Sequence, residues 1–152
     1  MMRIGVISDT HGLLRPEALD ALRGSDHILH AGDIGSPEVL AALQGLAPVT
    51  AVRGNNDRAG WAQGIPETAT VTLAGHRIHV LHDISELVAG IVKAPTRVVI
   101  AGHSHKPRSE VRDGVLFFNP GSAGPRRFRL PVTVGRIALV DGELVTEVIA
   151  LV

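Results

Sequence analysis

Six short apolar runs of this chain end in the same kind of chemistry. Ile4–Ile7 leads into Ser8-Asp9-Thr10-His11, Ile28-Leu29 into His30-Ala31-Gly32-Asp33, and Val49–Val52 into Arg53-Gly54-Asn55-Asn56-Asp57. Further on, Ile78–Leu81 leads into His82-Asp83, Val98–Ala101 into Gly102-His103-Ser104-His105, and Val115–Phe118 into Asn119-Pro120-Gly121-Ser122. In open sheets, ligand sites form beyond the carboxyl ends of the strands. Converging ends of this kind would gather several imidazoles and carboxylates in one crevice. So many ionisable groups cannot be desolvated together unless something binds them. A pair of divalent cations is the simplest resolution. Imidazole with carboxylate and amide oxygen suits Mn, Fe, Zn or Ni better than Mg or Ca.

Each element also has a plainer reading. An Asp after a strand is usually a helix cap or turn former, and Gly54-Asn55-Asn56-Asp57 alone is an ordinary turn, since Gly and Asn tolerate left-handed backbone. His103-x-His105 is sharper, because residues i and i+2 of an extended chain point the same way. His82 alone reads as a hydrogen-bonded histidine at a strand end. The metal reading gains its weight from their joint occurrence, in order, each at the end of an apolar run.

The runs that must position these residues are about five residues long and rich in Val and Ile, which predicts strands. They are Ile4–Ile7, His27–Leu29, Pro48–Val52, Val71–Leu73, Ile78–Leu81, Val98–Ala101, Val115–Phe118, Val132–Val140 and Leu144–Val152. Pro16–Leu22 reads as a helix with Pro near its first turn, and a second helix starts at Ser36-Pro37-Glu38 with Ser36 as candidate N-cap. Ser85–Val92 is a candidate third. The first third thus reads β-α-β-α-β. The last third reads as a meander with Asp113-Gly114 and Asp141-Gly142 as hairpin turns. Together these predict an α/β domain of mixed sheets in a layered sandwich.

The 152 residues, 45% hydrophobic and 20% charged, fit one domain spanning residues 1–152. With no cysteine, disulfide scaffolds, Cys-based zinc fingers, iron–sulfur clusters and thiol nucleophiles are excluded. Lys plus Arg (15) balance Asp plus Glu (15), so no global basic field draws in nucleic acid. A mean hydropathy of +0.22 excludes disorder, and no apolar run approaches a membrane span. Asp9 comes too early for a signal peptide, so a cytoplasmic address is the default expectation. The basic cluster Arg126-Arg127-Phe128-Arg129 reads either as a solvated loop or as a phosphate clamp. With one aromatic ring among it, it makes a poor stacking platform for a polynucleotide.

Taken in order, Asp9/His11, Gly32-Asp33, Gly54-Asn55-Asn56-Asp57, His82 and Gly102-His103-Ser104-His105 resemble the D-x-H, G-D, G-N-x-D, H, G-H-x-H series of the calcineurin-like metallophosphoesterases. Asn119-Pro120-Gly121-Ser122 with Pro125-Arg126 resembles the compact one-domain phosphodiesterase subgroup of bacteria and archaea. The resemblance covers essentially the whole chain. It implies an α/β (α+β) fold: a four-layer αββα sandwich of two mixed β-sheets flanked by helices. It also implies two divalent metal ions, with Mn expected first and Ni, Zn or Fe as alternatives. Asp9, His11 and His105 would hold one ion, Asn55, His82 and His103 the other, and Asp33 would bridge them. The implied activity is phosphodiester hydrolysis by a hydroxide bridging the two ions, with Asp33, Asn55 and Asn56 among the catalytic residues. Asn56 and Arg126 would contact a small phosphate-ester substrate.

Two departures stand out. Family members with G-N-H-D/E use the His as acid for the leaving group, whereas Asn56 fills that slot here and cannot donate a proton at a useful pKa. General acid help is typically worth roughly 10²–10⁴-fold, so activated or phenolic diesters are the expected preference. Asp83 stands where the family usually has Gly, either as a turn former or as a partner orienting a ligand His. Two alternatives stay in view: a non-catalytic protein-interaction scaffold of the same fold, as the retromer subunit of eukaryotes is, and a metal-dependent nuclease. Every ligand position is filled, which favours the enzyme over the scaffold, and the neutral charge argues against nucleic acid. The sequence leaves a homodimer or homotetramer open.

Overall fold

The computed structural model describes residues 1–92 and 95–152. Two five-stranded sheets pack face to face. In the first, β1 (Met2–Ile7) pairs in parallel with β2 (His27–His30), and β2 with β3 (Val49–Ala51). Parallel neighbours need crossovers. These carry α1 (Pro16–Leu22) and α2 (Pro37–Gln44), each with Pro in its first turn, where no intrahelical N–H is needed. Antiparallel β9 (Thr133–Val140) and β10 (Glu143–Ala150) complete the order β10-β9-β1-β2-β3. The second sheet has the order β4-β5-β6-β8-β7, from β4 (Thr68–Leu73), β5 (His76–Leu81), β6 (Thr96–Ile100), β7 (Arg108–Arg112) and β8 (Val115–Asn119). Within it β5, β6 and β8 run parallel.

Period-two alternation sorts the side chains. Ile4, Val6, Leu29, Ile78, Val80, Val98, Ile100, Phe118 and Ile137 fill the space between the sheets. Ile7, Ile28 and Val134 face the other way, onto Ala18 and Leu22 of α1 and Val39 and Leu43 of α2. On the outer face of the second sheet, Leu81, Val99, Ala101, Val115 and Phe117 form a third cluster, against which Leu87 and Val92 pack. Each side chain so buried contributes about 1.5–3 kcal/mol. Two mixed sheets with few helices match the expected sandwich, and all nine expected strands occur within a few residues of their runs.

Three local expectations need correction, and one strand lies outside the expected set. Ser85–Val92 is not an α-helix: it forms two 3-10 turns, Ile84–Glu86 and Ala89–Val92. Asp83 starts the first by accepting from the Ser85 amide, and the extended backbone of Leu87 ends it. The fourth layer is therefore thin. The last third is not a meander, because the hairpins β7–β8 and β9–β10 belong to different sheets. Their turns do use Asp113-Gly114 and Asp141-Gly142, with φ of 51° and 78°, then 51° and 79°, matching the twist of the flanking strands. β7, Arg-Ser-Glu-Val-Arg, was not expected at all. Ser36 stands at the N-cap of α2, but its hydroxyl caps nothing. Among the described residues, no helix is long and apolar enough to cross a membrane.

Candidate metal centre

Parallel pairing brings the carboxyl ends of β1, β2 and β3 to one edge, and those of β5, β6 and β8 to another. The first three deliver Asp9 and His11, Asp33, and Asn55. The second group delivers His82, then His103 and His105, with Asn119 behind them. The two edges meet where β6 runs out over β1. A Cβ on Gly102 would lie 2.0 Å from Ser8 Oγ and 2.6 Å from Asp9 Oδ2. One on Gly54 would lie 2.1 Å from Asp33 Oδ1 and 2.2 Å from the Asp33 amide nitrogen. Only glycine permits either approach, which gives the glycines of the G-N and G-H pairs a steric reason.

Asp9 lies at the middle of the cluster with a fully buried side chain. Its Oδ1 is 3.3 Å from His105 Nε2 and 3.9 Å from both His11 Nε2 and His82 Nε2. Asp33 Oδ2 is 3.3 Å from His82 Nε2 and 3.8 Å from His11 Nε2. The donor atoms of Asp9, His11 and His105 all lie within 4.8 Å of one another, and so do those of Asp9, Asp33 and His82. His103 joins through Nδ1, 3.3 Å from His82 Nε2. Asp9 Oδ1, His11 Nε2 and His105 Nδ1 are buried and have no hydrogen-bond partner. A buried carboxylate oxygen and a ring nitrogen left unpaired side by side are costly unless a ligand satisfies them. A divalent cation fits this donor set.

The supporting network fixes which atoms face inward. His82 Nδ1 donates to the Ala31 carbonyl at 2.8 Å, which aims Nε2 toward the carboxylates. Asp9 Oδ2 accepts from Ser8 Oγ at 2.6 Å and from the His103 amide at 3.1 Å. Asp57 ties two loops together, its carboxylate accepting from the Ile34, Gly35 and Gly54 amides at 2.9–3.0 Å. Asn119 Nδ2 donates to the Gly102 carbonyl at 3.0 Å, which holds the loop of His103 and His105. Buried His30 accepts from the Gly32 amide at Nδ1 and meets Thr10 Oγ1 at Nε2, while Thr10 donates to the Ile34 carbonyl.

The backbone is as unusual as the side chains. Asp9, His11, Asp33, His103 and His105 all have φ between 48° and 68°, the left-handed region that non-glycine residues avoid. Among the described residues, the other non-glycine cases are Ala74, Asp113 and Asp141, each just ahead of a hairpin glycine, and Phe128. Such conformations cost roughly 1–3 kcal/mol each and persist where surrounding structure dictates them.

Protonation states follow from the same contacts. Burial opposes ionisation of Asp33, but hydrogen bonds from His82 and the Asn56 amide outweigh it and hold the carboxyl down at about 2. Burial disfavours the charged form of His82 as well, yet Asp33 and Asp9 raise its pKa overall. Burial lowers His105, reinforced by the charges of Arg127 and His11 against the opposing pull of Asp9. Its imidazole therefore stays neutral and able to donate an electron pair.

Other expected residues sit as follows. Asn55 is exposed beside His82, lining a cavity of about 450 Å³ with Arg53 and Arg58. Asn56 is exposed but bonded to Asp33, donating from its amide to Asp33 Oδ1 at 3.0 Å and from Nδ2 to Oδ2 at 3.2 Å. Arg126 donates to the Val152 carbonyl at 3.4 Å; the charge His105 feels is that of its neighbour Arg127. Asp83 serves its turn, accepting from the Ser85 amide and hydroxyl, and its other oxygen lies 3.7 Å from His103 Nε2. The sequence singled out none of Ser8, Thr10 or Asp57 for the loop work they do. The last residue of the G-N-x-D series was the available signal for Asp57.

Fold and cluster together define a metallophosphoesterase. Residues 2–142 match the calcineurin-like phosphoesterase superfamily domain, and the chain belongs to that family. A probable metallophosphoesterase of Methanothermobacter thermautotrophicus is 36% identical, the match covering 93% of this chain and 88% of the relative. An archaeal phosphodiesterase superposes with a TM-score of 0.80 at 28% identity, covering 97% of this chain and all of the other (100%). Vps29 of Entamoeba histolytica in complex with zinc superposes at 0.74 with 25% identity, covering 99% of each chain.

Proposed function

We propose that this protein hydrolyses phosphodiesters using two divalent cations, manganese preferred. Asp9, His11 and His105 would hold one, Asn55, His82 and His103 the other, and Asp33 would bridge them. The observation that carries this reading is the pair of buried, unpartnered donors, Asp9 Oδ1 and His11 Nε2, facing Asp33, His82 and His105. When bound, such ions supply Lewis acidity toward phosphoryl oxygens and acidify water. The chain sets the charge balance: two carboxylates against two dications, with neutral His and Asn completing the set, leave the centre cationic and attractive to phosphate. Asp33 stays ionised at any working pH, and His82 presents Nε2 because Ala31 holds its other nitrogen. Asn56 steadies Asp33 and supplies no proton, so the leaving group must depart unaided or with a proton from water. That favours phenolic over alkyl esters. The match to an archaeal phosphodiesterase supports diesters as the substrate class.

The test is a metal titration followed by hydrolysis of bis(p-nitrophenyl) phosphate and p-nitrophenyl phosphate, with Mn, Ni, Zn, Mg and chelator. The expected result is two ions per chain after Mn loading, diester cleaved faster than monoester, and no cleavage in chelator or in Asp33→Ala. Fewer than one ion per chain, or cleavage that survives Asp33→Ala, would overturn the reading.

A further inference from the structure

A phosphodiester has two arms, and two cavities open beside this cluster, with Asp83 in the wall of both. The larger, about 450 Å³, reaches His82 and is polar, with Arg53, Arg58, Asn55 and Glu67 in its lining. The smaller, about 310 Å³, reaches His103 and is lined by Ile84, Val99, Ala101 and Phe117, together with Lys106 and Arg108. Its apolar floor is the outer face of the second sheet. Short 3-10 turns, not a full helix, lie on this side of the sheet, and Ile84, 37% exposed, is the open apolar side chain of the wall.

We propose that the smaller cavity receives an aromatic or other bulky apolar arm of the diester while its phosphate occupies the cluster. This rests on the phosphodiesterase reading above. His103 belongs to both the cluster and the cavity wall, so an arm bonded to a phosphate there enters the cavity directly. An apolar cavity of roughly 150 Å³ suffices to bind benzene, so 310 Å³ admits a one- or two-ring substituent. The polar cavity is left for the second arm. The substrate class is an unsymmetrical phosphodiester joining an apolar alcohol or phenol to a polar, hydrogen-bonding one.

The test compares methylphosphonate, phenylphosphonate and 2-naphthylphosphonate as ligands of the zinc-loaded full chain. Inhibition constants against bis(p-nitrophenyl) phosphate and amide chemical shifts are the readouts. Burying a ring of phenylalanine size predicts phenylphosphonate to bind roughly ten- to a hundredfold tighter than methylphosphonate. Shifts should fall on Ala101, Phe117 and Lys106. Ile84→Asp should compress the phenyl-to-methyl ratio to below about threefold through the charge it places in the wall, and the milder Ile84→Ser should compress it in the same direction. Equal affinities in the natural chain would overturn the proposal and leave the cavity to an apolar side chain of a protein partner. So would a ratio unmoved by both variants, or shifts confined to Arg53 and Thr68. If none of the three phosphonates binds and no diester is cleaved, the phosphodiesterase reading fails and takes this proposal with it. If methylphosphonate binds and only the preference is missing, this proposal fails alone.

Discussion

The first sheet delivers Asp9, His11, Asp33 and Asn55 on loops that are bonded to one another. The Asp9 amide donates to the Gly32 carbonyl and the His11 amide to the Asp33 carbonyl, both at 2.9 Å, and Asp57 clamps the loops after β2 and β3. The second sheet delivers His82, His103 and His105 on loops that lean on the first. The His103 amide rests on Asp9, and its side chain is 47% exposed, while that of Asp9 is fully buried. Carboxylates thus belong to the scaffold, and part of the imidazole set hangs over it. Ligands on the first side should cost fold and metal together when lost. His103 should cost metal alone.

The sharpest break in that contrast would come from Asp9→Ala. It leaves the buried Ser8 Oγ with only the Gly32 carbonyl at 3.5 Å and the part-buried His103 amide without its acceptor, the buried loss costing about 1–3 kcal/mol. Activity should vanish and the metal-free chain should unfold at markedly lower urea; unfolding midpoints with and without EDTA check both. If stability were untouched, the first side would be no more a scaffold than the second.

Acid tests the same scaffold through His30. Full burial, partly offset by Asp57 and Asp33, pushes its pKa from 6.5 down to about 3. Above pH 6.5 it is neutral in folded and unfolded chain alike. Between 6.5 and 3 the unfolded chain takes up a proton that the folded one refuses, so stability falls as pH falls through that window. Urea midpoints at pH 7, 5 and 4 should decline steeply in the natural protein and more gently in His30→Gln, which cannot titrate.

On the other side, His103→Ala should weaken metal binding by at least the roughly hundredfold seen for loss of a partner to a ligand. Its unfolding free energy without metal should change by no more than about 0.5 kcal/mol, as at other exposed positions. Competitive chelator titration and calorimetry separate the two effects. The smallest expected change is in Asn56→His, which places an acid at the edge of the first side. Turnover of alkyl phosphates should rise about tenfold, below the full range of general acid catalysis because the new side chain also gives up the bond to Asp33. No change for any leaving group would mean that departure is not limiting.

The cluster of Asp9, His11, Asp33, His82 and His105 was legible because each is a polar residue at a strand end, and such residues leave marks in the sequence. Of the parallel strands carrying them, β1, β6 and β8 were legible as apolar runs because both of their faces are largely buried, whereas the edge strand β3 is only half-buried. β7 was not: it is an edge strand of Arg-Ser-Glu-Val-Arg, and its Val111 is 69% exposed, so no alternation marks it. The split of the last hairpins between two sheets was hidden because local turn chemistry fixes a hairpin but not its neighbour. The bond of Asn56 to Asp33 depends on where Asp33 arrives from 23 residues away.

Five of the proposed ligand residues in left-handed backbone also bear on anyone hoping to transplant this centre. Copying the seven side chains onto another sandwich at matching Cα positions would aim most of them wrongly, because ordinary strand-end dihedrals send Cβ elsewhere. What must be moved is the looped main chain with its glycine neighbours and the aspartate that laces it, and the imidazoles would then follow.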